Sequence, residues 1–167
     1  MIRPPRPSEI KLLPQIENQA DLRYAHIGLG HVTGMPPAAI ASLQSGRRQG
    51  LLWVAVSPLG RPVGFALMKL RGGTVWLDQL SVLDHWQRRG YGAALIERSA
   101  RTAHALGFDT LYLSTYRDVP WNGPYYERRG FQEVPRSAFV RPLRVVLLTE
   151  RSHGHPVWHR AIMRRSV

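Results

Sequence analysis

Two short stretches of this chain place residue types at spacings that can do chemistry. In the first, Gln87-Arg88-Arg89-Gly90-Tyr91-Gly92, two glycines and two arginines stand where an apolar run, Trp76 to Leu83, gives way to a helical one, Tyr91 to Leu106. A strand feeding a glycine turn and then a helix builds an anion site. The first N–H groups of the helix have no partner and carry the positive end of its dipole, so a phosphate is held there without side-chain charge. Glycine also lets a ligand approach the backbone closely. A second Gly-x-Gly, Gly28-Leu29-Gly30, follows no strand-like run and lacks that context. The other stretch is Asn122-Gly123-Pro124-Tyr125-Tyr126-Glu127-Arg128-Arg129-Gly130-Phe131, which sets the phenol of Tyr126 four residues before a glycine. A phenol with a pKa of ~10 can serve as a proton donor.

Together the two stretches resemble the signature of the GNAT family of N-acetyltransferases. In that family a glutamine or arginine ahead of Gly-x-Gly cradles the pyrophosphate of acetyl-coenzyme A, and a tyrosine is aimed at the coenzyme sulfur. The resemblance runs from about Ile10 to the C-terminus, and its motif-bearing part is Trp76 to Val134. It implies an α/β fold with a GNAT-like mixed, mostly antiparallel central sheet flanked by helices, in a single domain over residues 1–167. It implies acetyl-CoA as cosubstrate, with Gln87 among the cofactor-binding residues and the backbone amides from Arg88 through Arg89, Gly90 and Tyr91 to Gly92 on the pyrophosphate. Leu80-Ser81-Val82 would run beside the pantetheine arm in the manner of an added strand, and one N–H there would polarise the thioester carbonyl. Tyr126 would be the general acid, and Asn122 would cap the tyrosine helix or touch the cofactor arm.

Each residue also has a plainer reading. Arg88 and Arg89 fit a solvated helix start, and Tyr126 fits a packed ring with a satisfied hydroxyl. Tyr125 is expected in the core. Several family members carry a glutamate base on the strand before the tyrosine helix, and that position here is Ser114. Asp78, on the strand before the phosphate loop, is then the leading carboxylate, able to draw the amine proton or hold a cationic acceptor; an exposed carboxylate or an arginine partner is the alternative. Asp118 is the second candidate. With Trp121 it lies in a segment of mixed charge and aromatics, Thr115 to Trp121, that suits acceptor recognition. His153, His155 and His159 have no carboxylate or cysteine support, so no metal is expected. His85 suits either a cofactor contact or a solvated turn, and Asp84 stands where proline is common, leaving that loop less rigid.

The composition sets the frame. A chain of 167 residues suits one domain with a sizeable core. No apolar stretch approaches the ~20 residues of a membrane span, the first residues lack a secretory apolar segment, and no cysteine is present. A cytoplasmic location follows as the expectation, and a covalent thiol mechanism is excluded. The net charge of +12 is spread from Arg3 to Arg165 with no run longer than two arginines. That distribution argues against nucleic acid as the primary partner, while its field would attract a polyanionic cofactor.

These residues need elements to position them. The spacing predicts a helix from an N-cap at Ser8 to Tyr24, kinked or delayed by Pro14, a loop over His26 to Pro37, and a helix from Pro36 to Arg48. Strands follow at Leu51 to Val56, Pro62 to Leu70 and Thr74 to Val82, joined by tight turns. Next come a helix from Arg88 to Leu106 ending at Gly107, a strand at Thr110 to Thr115, a short helix from Trp121 to Arg129, and a strand at Phe131 to Val134. A helix from Ala138 to Arg151, with Phe139, Leu143, Val146, Leu147 and Glu150 on one face, precedes a last strand at Trp158 to Met163. Met68 and Met163 are expected in the core.

Without cysteine, acetyl transfer would proceed by direct attack in a ternary complex. The acceptor is expected to be a small amine or amino-acid-like metabolite, with a protein amine behind it; a homodimer is left open. Two other classes compete: a cofactor-binding regulatory module without catalysis, favoured by Ser114, and a basic ribosome- or nucleic-acid-associated protein, favoured by charge alone.

Overall fold

Proline placement sets the first helix. In the computed structural model, which describes all 167 residues, Pro7 opens a 3-10 turn over Pro7–Leu12, and Pro14 lies in the first turn of helix α1, Leu13–Asp21. A residue without an N–H is tolerated there and not farther in. The α-helix therefore starts at Leu13, and Ser8 is not its N-cap. Glu9 organises the entry: its carboxylate accepts from the Arg3 guanidinium at 2.7 and 2.8 Å and from the Arg6 N–H at 2.7 Å, contacts that hold its carboxyl below the ordinary range.

After α1 a second 3-10 turn, Leu22–Ile27, closes on Gly28 in the left-handed region. The segment expected to be loop contains a one-turn helix, α2, Gly30–Thr33. The next helix, α3, spans Ile40–Arg48 and not Pro36 onward. Its start is delayed because the Glu17 carboxylate takes the Ala38 N–H at 3.0 Å and Ala39 is extended, with ψ 140°.

Seven strands form one sheet: β1 Ile2–Arg3, β2 Leu52–Val56, β3 Pro62–Arg71, β4 Thr74–Val82, β5 Thr110–Tyr116, β6 Gln132–Glu133 and β7 Arg160–Ser166, in the order β1-β2-β3-β4-β5-β7-β6. Ile2 faces Ala55, Leu52 faces Leu67, Leu113 faces Met163 and Gln132 faces Arg164, all in antiparallel pairs. The mostly antiparallel, helix-flanked α/β class expected from the sequence is the one that forms. The remaining helices are α4 Tyr91–Ala105, α5 Gly123–Glu127 and α6 Arg141–Ser152, and none is long and apolar enough to cross a membrane. The last strand differs from expectation. Trp158 sits in a 3-10 turn, largely exposed, and pairing begins at Arg160.

Contacts divide the chain into two compact units, Met1–Lys69 with Leu77–Thr102, and Leu70–Trp76 with Ala103–Val167. In the first, Leu13 and Ile16 of α1 and Leu43 of α3 pack on Val54, Phe65 and Leu67. In the second, Leu143 and Val146 of α6 pack with Phe139 on Trp76 and Ile162, using the apolar face read from the helical spacing. Met68 and Met163 are both buried, as expected.

One glycine of the first unit answers to crowding. A Cβ at Gly64 on β3 would lie 2.7 Å from the Ser81 carbonyl oxygen and 2.9 Å from Val82 Cγ2, so β3 closes on the end of β4 only because that carbon is missing. Gly64→Ala is expected to lower stability by about 1–3 kcal/mol, read as a lower urea midpoint at unchanged m-value. An unchanged midpoint would show that the strand end moves aside freely.

Candidate active site

The end of β4 runs into a turn whose backbone reverses hand. Gln87 is extended, Arg88 has φ 56° and Gly90 has φ 84°; Arg88 is the one residue other than glycine in the left-handed region. Such a change of hand swings successive N–H groups toward one side as an anion-binding nest. The Ala94 N–H donates to the Gly90 carbonyl at 2.9 Å, so helix α4 begins after Gly90 and not at Arg88. The N–H groups of Tyr91, Gly92 and Ala93 are thus in its first turn, where no intrahelical acceptor exists. A Cβ at Gly90 would meet nothing within 4 Å, so glycine answers here to backbone hand, and the space beside it is open. Arg88, Arg89 and Gly90 are exposed; the Arg89 guanidinium lies 5.1 Å over the Trp86 ring, which also meets Tyr91 edge-on. An exposed nest, a helix start and two cations fit a pyrophosphate.

Gln87 braces this turn. Its Nε2 donates to the Val82 carbonyl at 3.0 Å, and its Oε1 accepts from Arg23 Nη1 at 3.1 Å. On β4 itself, Leu80 and Val82 are half-buried, and Ser81 is buried with its hydroxyl taking the Gln79 amide at 2.9 Å. Asp78 is half-buried, and its Oδ2 lies 2.7 Å from the ammonium of Lys69 on β3, so an ion partner of lysine type stands where an arginine was the alternative.

Two acidic residues beside it were not singled out by the sequence reading. Glu17 on α1 is only 8% exposed, and its Oε2 accepts the Ala38 N–H. Burial pushes its carboxyl up to about 7; the Ala38 bond opposes that rise, the charges of Asp21 and Asp78 add to it, and Lys69 subtracts. Burial likewise pushes Asp21 up to about 6 against the pull of Arg23. A signal for both was available: each follows a core position of α1, Ile16 or Ala20, by one residue.

The second unit carries the tyrosine motif. Asn122 is buried with φ −119° and ψ −106°, and its side chain makes no capping bond; its carbonyl accepts the Tyr126 N–H at 2.9 Å. A Cβ at Gly123 would collide with the Arg117 carbonyl, so the entry to α5 requires glycine. Tyr126 is 9% exposed, edge-on to Phe131 and Tyr125. Tyr125, expected in the core, is half-buried under the Arg129 guanidinium at 5.3 Å, because the α5 face that packs on Phe131 is that of Tyr126. Asp118 is exposed and Trp121 half-buried.

Ser114 is not left without a carboxylate. Its hydroxyl donates to Glu150 Oε2 of α6 at 2.8 Å, and Glu150 is held by Arg160 at 2.8 and 3.2 Å. Arg160 stacks over Tyr116, whose hydroxyl is 2.8 Å from His155 Nδ1. That histidine is therefore engaged with a phenol, and no group of three His, Cys, Asp or Glu side chains is placed to hold a metal ion. The first unit thus assembles the left-handed turn Arg88–Gly90, Leu80 to Val82 and Asp78, and the second assembles Asn122, Tyr126, Asp118 and Trp121.

Comparison with known proteins accords with this geometry. The sequence model of the acetyltransferase (GNAT) domain matches residues 48–133. A Mycobacterium tuberculosis protein solved with CoA superposes with a TM-score of 0.73 at 15% identity, covering 100% of this chain and 99% of that one. N-acetylglutamate synthase from Neisseria gonorrhoeae, complexed with coenzyme A and N-acetyl-glutamate, gives 0.71 at 19% identity over 99% of this chain, which spans only 34% of that one. The ribosomal-protein-alanine N-acetyltransferase of Escherichia coli gives 0.66 at 19% identity, with coverages of 100% and 93%.

The buried carboxyls make stability depend on pH. Glu17 keeps its proton to about 7 in the folded chain but loses it near 4.5 when unfolded, so the folded state binds more protons in between and stability falls as pH rises through that window. Asp21 acts in the same sense between 3.8 and about 6. Denaturation of Glu17→Gln at pH 5 and pH 8 should show a smaller difference than wild type; an equal difference would mean that Glu17 is ordinarily solvated.

Proposed function

The chain belongs to the GNAT family of N-acetyltransferases, and on that premise we propose that it moves an acetyl group from acetyl-CoA to a primary amine by direct attack in a ternary complex, with residues 1–167 acting as one domain. The observation that carries this reading is the left-handed turn Arg88–Gly90 feeding α4. Backbone N–H groups from Arg88 to Gly92 would hold the pyrophosphate, with the two arginines adding charge-assisted contacts. Leu80, Ser81 and Val82 would offer the pantetheine arm a strand edge, and Gln87 keeps that edge and the turn in register through its two bonds. The cosubstrate supplies an activated acetyl carbonyl. Tyr126 would protonate the departing thiolate, and Asn122 holds the first turn of its helix. Asp78, paired with Lys69, would attract the cationic form of the amine, while Asp118 and Trp121 shape the acceptor loop.

The acceptor we favour is a small amine or amino-acid-like metabolite. A protein amine comes second, and a reducing cytoplasm suits a chain without cysteine. One observation favours a different reading, a non-catalytic acetyl-CoA-binding module: Ser114 stands where several family members carry a base, and the carboxylate that reaches it is locked to Arg160. Thiol release across a panel of primary amines separates the two.

Acetyl-CoA at a hundred times its dissociation constant should stabilise the fold by ~2.7 kcal/mol. Gly90→Glu should abolish the resulting rise in Tm, because it sets a side chain and a negative charge in the open space of the turn. No shift for wild type at millimolar acetyl-CoA, with no heat of binding, would sink the assignment. Tyr126→Phe should lower turnover ~10²–10⁴-fold with cofactor affinity nearly unchanged, and Tyr125→Phe should do far less. Equal turnover of Tyr126→Phe and wild type would remove the phenol from the reaction.

A further inference from the structure

We propose that Glu17 takes the proton of the acceptor amine, directly or through one water, while Asp78, paired with Lys69, attracts the cationic amine beside it. The inference rests on the acetyltransferase reading and names a residue which that reading leaves unassigned.

An aliphatic amine arrives as an ammonium at neutral pH, with a pKa of ~10, and has no lone pair to attack with until a proton is removed. The group suited to remove it has a pKa near the working pH. Asp78 Oδ2 already receives the Lys69 ammonium at 2.7 Å. Glu17 is more deeply buried, its Oε2 is fixed by the Ala38 N–H, and its Oε1 takes no part in that tether. The charges that act on it are two negative, Asp21 of its own helix and Asp78 of β4, and one positive, Lys69 of β3. Burial and this balance place its titration at about 7.

Its placement is as telling as its chemistry. Just past the end of α1, Arg23 donates to Gln87, and Gln87 donates to the Val82 carbonyl at the end of β4. The helix that carries Glu17 is thereby tied to the strand that leads into the phosphate turn. No other carboxylate in the first unit combines such burial with a fixed oxygen and a neighbouring ion pair; Glu9 is consumed by Arg3 and Arg6.

The proton count closes. The ammonium gives one proton to Glu17, which passes it to solvent. The freed lone pair forms the C–N bond as the C–S bond breaks, and the nitrogen loses its second proton to solvent. The departing sulfur keeps the C–S electron pair and takes a proton from Tyr126, whose phenolate is reprotonated by solvent.

The test uses Glu17→Gln, which keeps the side-chain length and a carbonyl oxygen for the Ala38 N–H but cannot take up a proton. Thiol release with a panel of primary amines is followed from pH 6 to 9. Wild-type kcat/KM should rise through a limb near pH 7. In Glu17→Gln that limb should vanish, with the rate at pH 7 down ~10²–10⁴-fold and recovering at high pH, where the amine is neutral unaided. Acetyl-CoA affinity by calorimetry should not change. Asp78→Asn should raise KM for the amine and keep the limb. A limb that persists in Glu17→Gln, or that is lost in Asp78→Asn instead, overturns the proposal.

If the glutamine variant does not fold, or no amine in the panel is turned over, carboxyl NMR of wild-type protein with ¹³C-labelled glutamate decides, with Glu17→Asp providing the signal assignment. One glutamate titrating near 7 supports the proposal, and a Glu17 signal in the ordinary carboxyl range overturns it. Failure of wild type to bind acetyl-CoA at all strikes the acetyltransferase reading itself, which is a different result from an altered pH profile.

Discussion

The constraint on which the rest of the candidate site depends is that the first backbone N–H groups of α4 have no intrahelical acceptor. The turn that leads into them adopts the left-handed region at both Arg88 and Gly90. Glycine accepts that conformation freely, whereas arginine accepts it at a cost of about 1–2 kcal/mol. The surroundings therefore have to hold Arg88 there, and the brace from Arg23 through Gln87 to the Val82 carbonyl does so next door to it. The positions of the strand end, the turn and the far end of α1 are thus a single decision.

Charge is distributed around that decision in a consistent way. The chain is strongly basic, yet the helix tied to the turn before α4 buries Glu17 and half-buries Asp21, and a third carboxylate, Asp78, is paired with Lys69. Burying a carboxylate is costly unless it is bonded or protonated. Glu17 does both in part: it takes the Ala38 N–H, and near neutral pH it shares its time between charged and neutral forms. The same bond displaces the start of α3 to Ile40, so one carboxylate shapes the local fold as well as the local electrostatics.

The second unit solves a different problem, that of placing a phenol. Tyr126 is packed edge-on against Phe131, and its helix is entered through Gly123, where any side chain would strike the Arg117 carbonyl. Glu150, Arg160, Ser114, Tyr116 and His155 form a chain of polar contacts in which each charged group is paired. A carboxylate so held by a guanidinium ties α6, β5 and β7 together through its neighbours.

Local periodicity and turn chemistry were enough to read the strands from Leu52 to Val82, the apolar face of α6, and the two motifs around Gly90 and Tyr126. Each depends on residues close in the chain: alternation, helical spacing, a glycine in the left-handed region. Element starts were legible only where a proline or glycine marks them. Ala38 is withheld from α3 by a glutamate 21 residues earlier, and the last strand starts at Arg160 because its partner β5 sets the register. The sequence alone therefore determined the family, the sheet and the glycine turn that opens α4. Which of two adjacent tyrosines is buried, whether Asp78 has an ion partner, and that Glu17 is buried among charges were decided by the tertiary structure. Burial and Coulomb interactions depend on distance in space, and spacing along the chain does not encode that distance.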